Sequence, residues 1–287
     1  MTGTVATKNE KIHVHGVALE ILRIIPSTAD EMKAPLVFVH EGLGSVALWR
    51  DFPAQVCAAT GRSGFVYSRR GYGQSGALAD VRGAGRLPPD YMHREAWETL
   101  PELLRLLGVT KPMVIGHSDG GTIALLYAAR FEAAACIVMA SHLFVEDMTV
   151  AAIEQARLAY EHGNLRERLQ RYHADVDSAF WQWNDVWLSS AFRGFNIEAD
   201  CQTIACPLLA MQGVDDSYGS MAQIEALALP SDAEGFEKRV FLNEISLQPA
   251  KNMRRVLLKL EQCGHSPQRD QAARCMKAIV NFCADLG

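Results

Sequence analysis

The sequence predicts an α/β protein: a mostly parallel central sheet flanked by helices, with an inserted block of helices. Three observations carry this. Short, continuously apolar runs alternate with segments of helical length, as strands buried on both faces do. One of these runs, Met113-Val114-Ile115-Gly116-His117, stops at Ser118 and turns at once into a helical pattern. From 144 to 200 the alternation lapses and only helical patterns remain.

In chain order, residues 11–25 alternate around Gly16 and read as a β-hairpin, with 26–33 as loop. Pro35-Leu36-Val37-Phe38-Val39-His40 is a buried strand that runs into Glu41-Gly42-Leu43-Gly44-Ser45. A helix carrying Leu48, Trp49, Phe52, Val56 and Ala59 follows. Gly64-Phe65-Val66-Tyr67-Ser68 is the next strand, and it enters the glycine-rich loop Arg69-Arg70-Gly71-Tyr72-Gly73-Gln74-Ser75-Gly76. After an irregular stretch to Pro89, residues 91–107 predict a helix with Pro101 early or at a break, stopped by Gly108. The helix after Ser118 reads as amphipathic through Ile123, Leu126, Tyr127 and Arg130, and Cys136-Ile137-Val138-Met139-Ala140-Ser141 is a further strand. Helical patterns at 150–161, 165–172 and 179–188 fill the insertion. Strands return at 207–212 and 256–260, and a helix over 268–283 closes the chain. Residues 229–252 carry no assignable pattern. The domain reading is a core of 1–142 and 201–287 with a helical cap of 143–200.

The 287 residues, 49 % of them hydrophobic, suffice for a large core. A net charge of −5 gives no electrostatic footprint for nucleic acid. The one basic cluster, 251–255, reads as a solvated loop or strand edge. No apolar stretch reaches membrane-spanning length and the N-terminus lacks a signal-peptide core, so no membrane partner is expected and a cytoplasmic location is. The seven cysteines are scattered without C-x-x-C spacing, which reads as reduced, mostly buried thiols. His13 and His15 alternate on one strand face without a third ligand, so no metal and no cofactor are expected. Self-association stays open.

Gly116-His117-Ser118-Asp119-Gly120 is a G-x-S-x-G nucleophile elbow, in which a strand turns sharply into a helix and presents the serine Oγ at its apex. A serine hydroxyl is a poor nucleophile at neutral pH and needs a histidine base and a carboxylate to orient it. Gly213-Val214-Asp215-Asp216-Ser217 follows one late strand and Gly264-His265-Ser266 follows another. Both loops lie on the sheet edge where the elbow places Ser118. His265 is thus the expected base, and Asp215 and Asp216 are both candidates for the acid. Two backbone N–H groups should form an oxyanion hole: that of Asp119, and one from the 40–44 segment, with Gly42 ahead of Glu41 and Leu43.

Together the His40-Glu41-Gly42-Leu43-Gly44 segment, the Arg70-Gly71-Tyr72-Gly73-Gln74-Ser75 loop, the elbow, and the two late loops resemble the α/β-hydrolase fold with a helical cap, over nearly the whole chain. That resemblance implies Asp216 as the acid, by its offset from Gly213. Residues 116–121 and the segment opening at His142 are more loosely similar to the biphenyl-hydrolase-like serine esterases. The chain departs from many members at Glu41, where glycine is common, and at Ser68, where an acid is.

The expected function is a serine hydrolase that cleaves a carboxylic ester of a small, apolar or aromatic substrate through an acyl-enzyme. The alternative is a carbon–carbon bond hydrolase acting on aromatic ring-cleavage products, a branch that also pairs a capped fold with this triad. Substrate contacts are expected from Glu41, His142, Trp183 and Trp187. Phe180, Trp183 and Trp187 share one helical face, which either packs the cap down or forms an aromatic-accepting pocket. Acidic side chains beside an oxyanion hole call for a reason. Asp119 is accounted for by the helix dipole, and Glu41 by solvent or by pairing with Arg69 or Arg70; otherwise one of them receives a cationic substrate group.

Overall fold

The structure, a computed structural model, describes residues 4–228, 237–243, 253–284 and 286. Its strands are β1 (Val5–Val14), β2 (Val17–Pro26), β3 (Leu36–Val39), β4 (Gly64–Tyr67), β5 (Met113–His117), β6 (Ala135–Met139), β7 (Leu208–Gly213), β8 (Glu237–Leu242) and β9 (Met253–Leu260). The helices are α1 (Phe52–Thr60), α2 (Tyr91–Arg94), α3 (Leu100–Leu107), α4 (Asp119–Arg130), α5 (Asp147–His162), α6 (Leu165–Leu169), α7 (Val176–Trp187), α8 (Glu198–Gln202), α9 (Met221–Glu225), α10 (Pro267–Asp270) and α11 (Ala272–Ala284). The strands form one sheet in the order β1-β2-β4-β3-β5-β6-β7-β9-β8. The pairings β1–β2 and β2–β4 are antiparallel, and the rest are parallel.

The period-two alternation of a strand divides the interior into two half-cores. Val37, Val39 and Val114 face one, with α3 and α4, while Leu36, Phe38, Met113 and Ile115 face the other, with α1 and α11. Burying each of these apolar side chains contributes about 1.5–3 kcal/mol. The β1–β2 hairpin turns on His15 and Gly16, both at positive φ (48° and 79°), as a two-residue primed turn requires. It starts at Val5 rather than residue 11, because the largely exposed edge strand needs no apolar alternation there.

Four sequence readings are corrected. The helix expected to carry Leu48 through Ala59 is broken: a 3-10 turn, Ala47–Trp49, ends at Arg50 with φ 52°, and α1 starts afresh at Phe52. The helix over 91–107 is continuous but holds a π-helical segment, Glu95–Thr99, between α2 and α3. Pro101 has no N–H to offer the Trp97 carbonyl four residues back, so the ladder widens there. Helix α4 is not amphipathic, for every residue from Asp119 to Ala128 is buried, between the sheet on one side and α2 and α8 on the other. The closing helix is split at Gln271 into α10 and α11.

Of the unassigned stretch, residues 237–242 form edge strand β8, while 229–236 and 244–252 lie outside the described residues. Lys251 of the basic cluster lies there too. Arg255 is not solvated but 1 % exposed, donating to the carbonyls of Leu227 (2.8 Å) and Cys201 (2.7 Å).

Helices α5 to α8 come between β6 and β7. The ends of this insertion are tied together by a β-bridge between Phe144 and Asn196 and by the Ile197 N–H donating to the Leu143 carbonyl (2.7 Å). Among the described residues no helix is long and apolar enough to cross a membrane.

Candidate active site

At the end of β5, Ser118 adopts φ 53°, ψ −121°, a strained conformation for a residue with a β-carbon. The flanking glycines are steric necessities. A β-carbon on Gly116 would stand 2.1 Å from the Gly120 carbonyl oxygen, and one on Gly120 would stand 2.0 Å from that of Val39. The Ser118 N–H donates to the Met139 carbonyl (2.9 Å), pinning the apex against β6.

The loops after β7 and β9 interlock beside it, so closely that a β-carbon on Gly213 would lie 2.2 Å from the Cys263 carbonyl. Asp215 donates its N–H to that carbonyl (2.9 Å) and leaves its side chain exposed, whereas Asp216 is buried. Both Asp216 oxygens face His265 Nδ1, at 2.9 and 3.0 Å, and His265 Nε2 lies 2.9 Å from Ser118 Oγ. Gln212 Nε2 and the Tyr218 N–H each donate to Asp216 at 2.8 Å. Burial pushes the Asp216 carboxyl up, but His265 and the Tyr218 N–H outweigh it and hold it below its usual value. An ionised carboxylate only accepts, so the imidazole proton sits on Nδ1 and Nε2 is free to accept from the serine hydroxyl.

Gly42, Leu43 and Asp119 line the same cavity as Ser118, and among the described residues no hydrogen bond from the backbone N–H of any of the three is found. His40 holds this loop. Its Nδ1 lies 2.7 Å from the Glu41 carbonyl and its Nε2 accepts from the Arg69 N–H (3.0 Å), a pattern that suits the neutral ring. Burial accordingly lowers His40 well below its ordinary pKa. Arg69 also donates to the Glu41 carbonyl (2.9 Å).

The two acidic side chains are already partnered. Asp119 accepts from Tyr91 Oη (2.5 Å) and Trp187 Nε1 (3.2 Å), with Arg69 Nη2 at 3.8 Å. Burial raises its pKa and Arg69 opposes the rise. The sequence reading left the Glu41 carboxylate to solvent or to pairing with Arg69 or Arg70; among the described residues it faces His117 Nδ1 (3.5 Å) and Arg269 Nη2 (3.7 Å) instead. Burial would raise it, but the hydrogen bond from His117 at the end of β5 and the positive charge of Arg269 in α10 hold it well below the carboxylate range.

A cavity of about 150 Å³ above Ser118 is lined by Gly42, His142, Ile153, Trp183, Trp187 and Tyr218, among others. His142 is 3 % exposed, its ring centroid 5.6 Å from that of His265, and burial pushes its pKa down to about 3. Of the three aromatics on one face of α7, only Trp183 and Trp187 reach the cavity. Phe180 stacks on Tyr160 of α5, ring centroids 3.7 Å apart. His117, whose Nε2 lies 2.6 Å from the His265 carbonyl, was missed from sequence because it reads as one more residue of β5. Tyr91 and Arg69, which hold Asp119, carried no motif linking them to it.

A serine-bearing strand-to-helix turn, a histidine and a buried acid thus meet on the carboxyl edge of the parallel strands. The model of the alpha/beta hydrolase family matches residues 36–278, and the chain belongs to that family. No curated protein matches it in sequence. Solved structures share the fold at low identity. A proline iminopeptidase from Mycobacterium smegmatis is 14 % identical with a TM-score of 0.65, covering 97 % of this chain and 98 % of its own. A thermophilic esterase from Thermogutta terrifontis is 16 % identical with a TM-score of 0.64, covering 97 % and 99 %. The enol-lactonase from Burkholderia xenovorans LB400 is 14 % identical with a TM-score of 0.64, covering 96 % and 100 %.

Proposed function

We propose that this hydrolase cleaves carboxylic esters of small, apolar or aromatic acids, with residues 143–200 acting as the cap over the site. The observation that carries the reading is the unbroken chain from Ser118 Oγ through His265 to Asp216, each link 2.9–3.0 Å, beneath the cavity. Ser118 Oγ attacks the ester carbonyl carbon as His265 Nε2 takes its proton, and the electron pair of the C=O bond moves onto oxygen. The Gly42 and Asp119 N–H groups receive that oxyanion. The intermediate collapses as the C–O bond to the alcohol breaks and His265 returns the proton to the leaving oxygen. Water, deprotonated by the same histidine, then releases the acid.

The cavity size selects the substrate class. About 150 Å³ is below the ~300–1,000 Å³ of pockets for drug-sized ligands, so the acyl group is small. The indoles of Trp183 and Trp187 give it apolar walls. Among the described residues neither lysine nor arginine lines the cavity, while Glu41 and Asp119 do. An anionic ring-cleavage product finds no counter-charge in such a lining, which favours the ester reading over carbon–carbon cleavage.

The test is stoichiometric labelling by a fluorophosphonate, lost in Ser118→Ala, followed by steady-state assay of short-chain and aryl esters against a vinylogous diketone acid. Turnover of the diketone acid in preference to every ester would overturn the assignment.

A further inference from the structure

The two tryptophans that α7 sends to the cavity use their indole nitrogens differently. Trp187 Nε1 is spent on Tyr91 Oη (3.0 Å) and Asp119 Oδ1 (3.2 Å). Trp183 is also buried, at 6 % exposure against 1 % for Trp187, yet among the described residues its Nε1 meets no acceptor. Nor is it sealed away like the unpartnered Trp49 Nε1, for Trp183 lines the cavity. Its position is specific: Nε1 lies 2.3 Å, and Cδ1 2.5 Å, from the point where a β-carbon on Gly42 would stand. Only glycine at 42 lets the indole edge come this close to the 42–43 loop, which lines the cavity together with Ser118. An N–H held in an enclosed, largely apolar pocket costs free energy unless something accepts from it.

We propose that the Trp183 indole N–H is a third donor to the substrate carbonyl oxygen, added by the insertion to the two backbone donors. The inference rests on the acyl-transfer reading of Ser118. As Oγ bonds to the carbonyl carbon and the π electrons move onto oxygen, the charge on that oxygen grows, and so does the strength of the Trp183 bond to it. The donor therefore acts in the transition state more than in the bound ester. It also makes the hole complete only when α7 is seated on the core. Phe180, packed edge-on against Trp183 (centroids 6.0 Å, 69°), helps fix the ring's angle.

The experiment replaces Trp183 by β-(3-benzothienyl)alanine, which keeps the bicyclic shape and exchanges N–H for sulfur; Trp183→Phe is the second variant. Fluorophosphonate titration of the wild type comes first. If Ser118 does not label, the acyl-transfer reading and this inference fall together. If it labels, both variants should lose about 100-fold in kcat, the lower end of what removing one oxyanion donor costs, with KM for the ester little changed. Their affinity for an aryl trifluoromethyl ketone, which adds Ser118 Oγ to give a tetrahedral oxyanion, should fall by a similar factor. Wild-type kcat and ketone affinity in the benzothienyl variant would overturn the inference while leaving the acyl-transfer reading intact. So would a loss confined to KM, which marks a ring that only packs.

Discussion

Trp187 of α7 donates its indole N–H to the carboxylate of Asp119, the residue directly after Ser118, at 3.2 Å. The bond ties the insertion to the elbow, in a place where Asp119 is 1 % exposed and needs every donor it has. Trp187→Phe keeps most of the packing and removes one of them. Hydrogen bonds to charged groups contribute about 1.5–3 kcal/mol, so the variant should lose that much stability, read as a lower urea midpoint at unchanged m-value. Tyr91→Phe should lose a similar amount. A wild-type midpoint for both would show that Asp119 is not held through these donors.

Strain at the elbow makes a second expectation. Ser118 at φ 53° stores about 1–3 kcal/mol that glycine would not. Both Ser118→Ala and Ser118→Gly remove the nucleophile and should be inactive. Ser118→Gly should nonetheless be the more stable of the two by about 1 kcal/mol, after the greater freedom of glycine in the unfolded chain is set against the relief. A Ser118→Gly variant less stable than Ser118→Ala by about 0.4–1 kcal/mol, the entropic cost of glycine alone, would mean the elbow is not strained.

The acid is testable by single substitutions. Asp216→Asn leaves His265 Nδ1 facing an amide and favours the wrong tautomer, so kcat should fall by about 10⁴-fold. Asp215→Asn, at an exposed position with no hydrogen bond to His265, should retain wild-type turnover. Reversed results would reassign the carboxylate.

What was legible in the sequence depended on how local its cause was. Ser118 and His265 each follow a buried strand, so position along the chain is enough to nominate them; it leaves Asp215 and Asp216 open, and only the resemblance to the family selects Asp216. The side chains around them answer to neighbours distant in sequence. Tyr91 meets Asp119 across 28 residues, and Arg269 reaches Glu41 from the far end of the chain. Neither pairing leaves a pattern in either segment. A helical face likewise named Phe180, Trp183 and Trp187 together, but whether each would find the cavity depended on α5, whose Tyr160 claims Phe180. Glu41 shows the same limit, for the arginines of the 69–76 loop named from sequence are not the partners its carboxylate finds in the fold.

His142 supplies the pH dependence. Its folded pKa, pushed down to about 3 by burial with His265 adding to the effect, lies below the 6.5 of the exposed ring. Between those values the unfolded chain carries the proton and the folded one does not. Stability depends on pH through the excess of protons bound by the unfolded state, so it rises with pH across this window and is lost on acidification from 6.5 toward 3. Above pH 6.5 both states are neutral at this position and the contribution is flat. His142→Gln stays uncharged throughout and lacks this term. Urea midpoints of wild type and variant should therefore keep a constant difference from pH 8 to 7. That difference should shift against the wild type below 6.5, reaching on the order of 2–3 kcal/mol at pH 4.5. The buried His40 drifts the same way but is common to both proteins and cancels in the difference. Parallel profiles down to pH 4.5 would mean that His142 takes up its proton in the folded state, and that the cavity wall beside His265 admits charge.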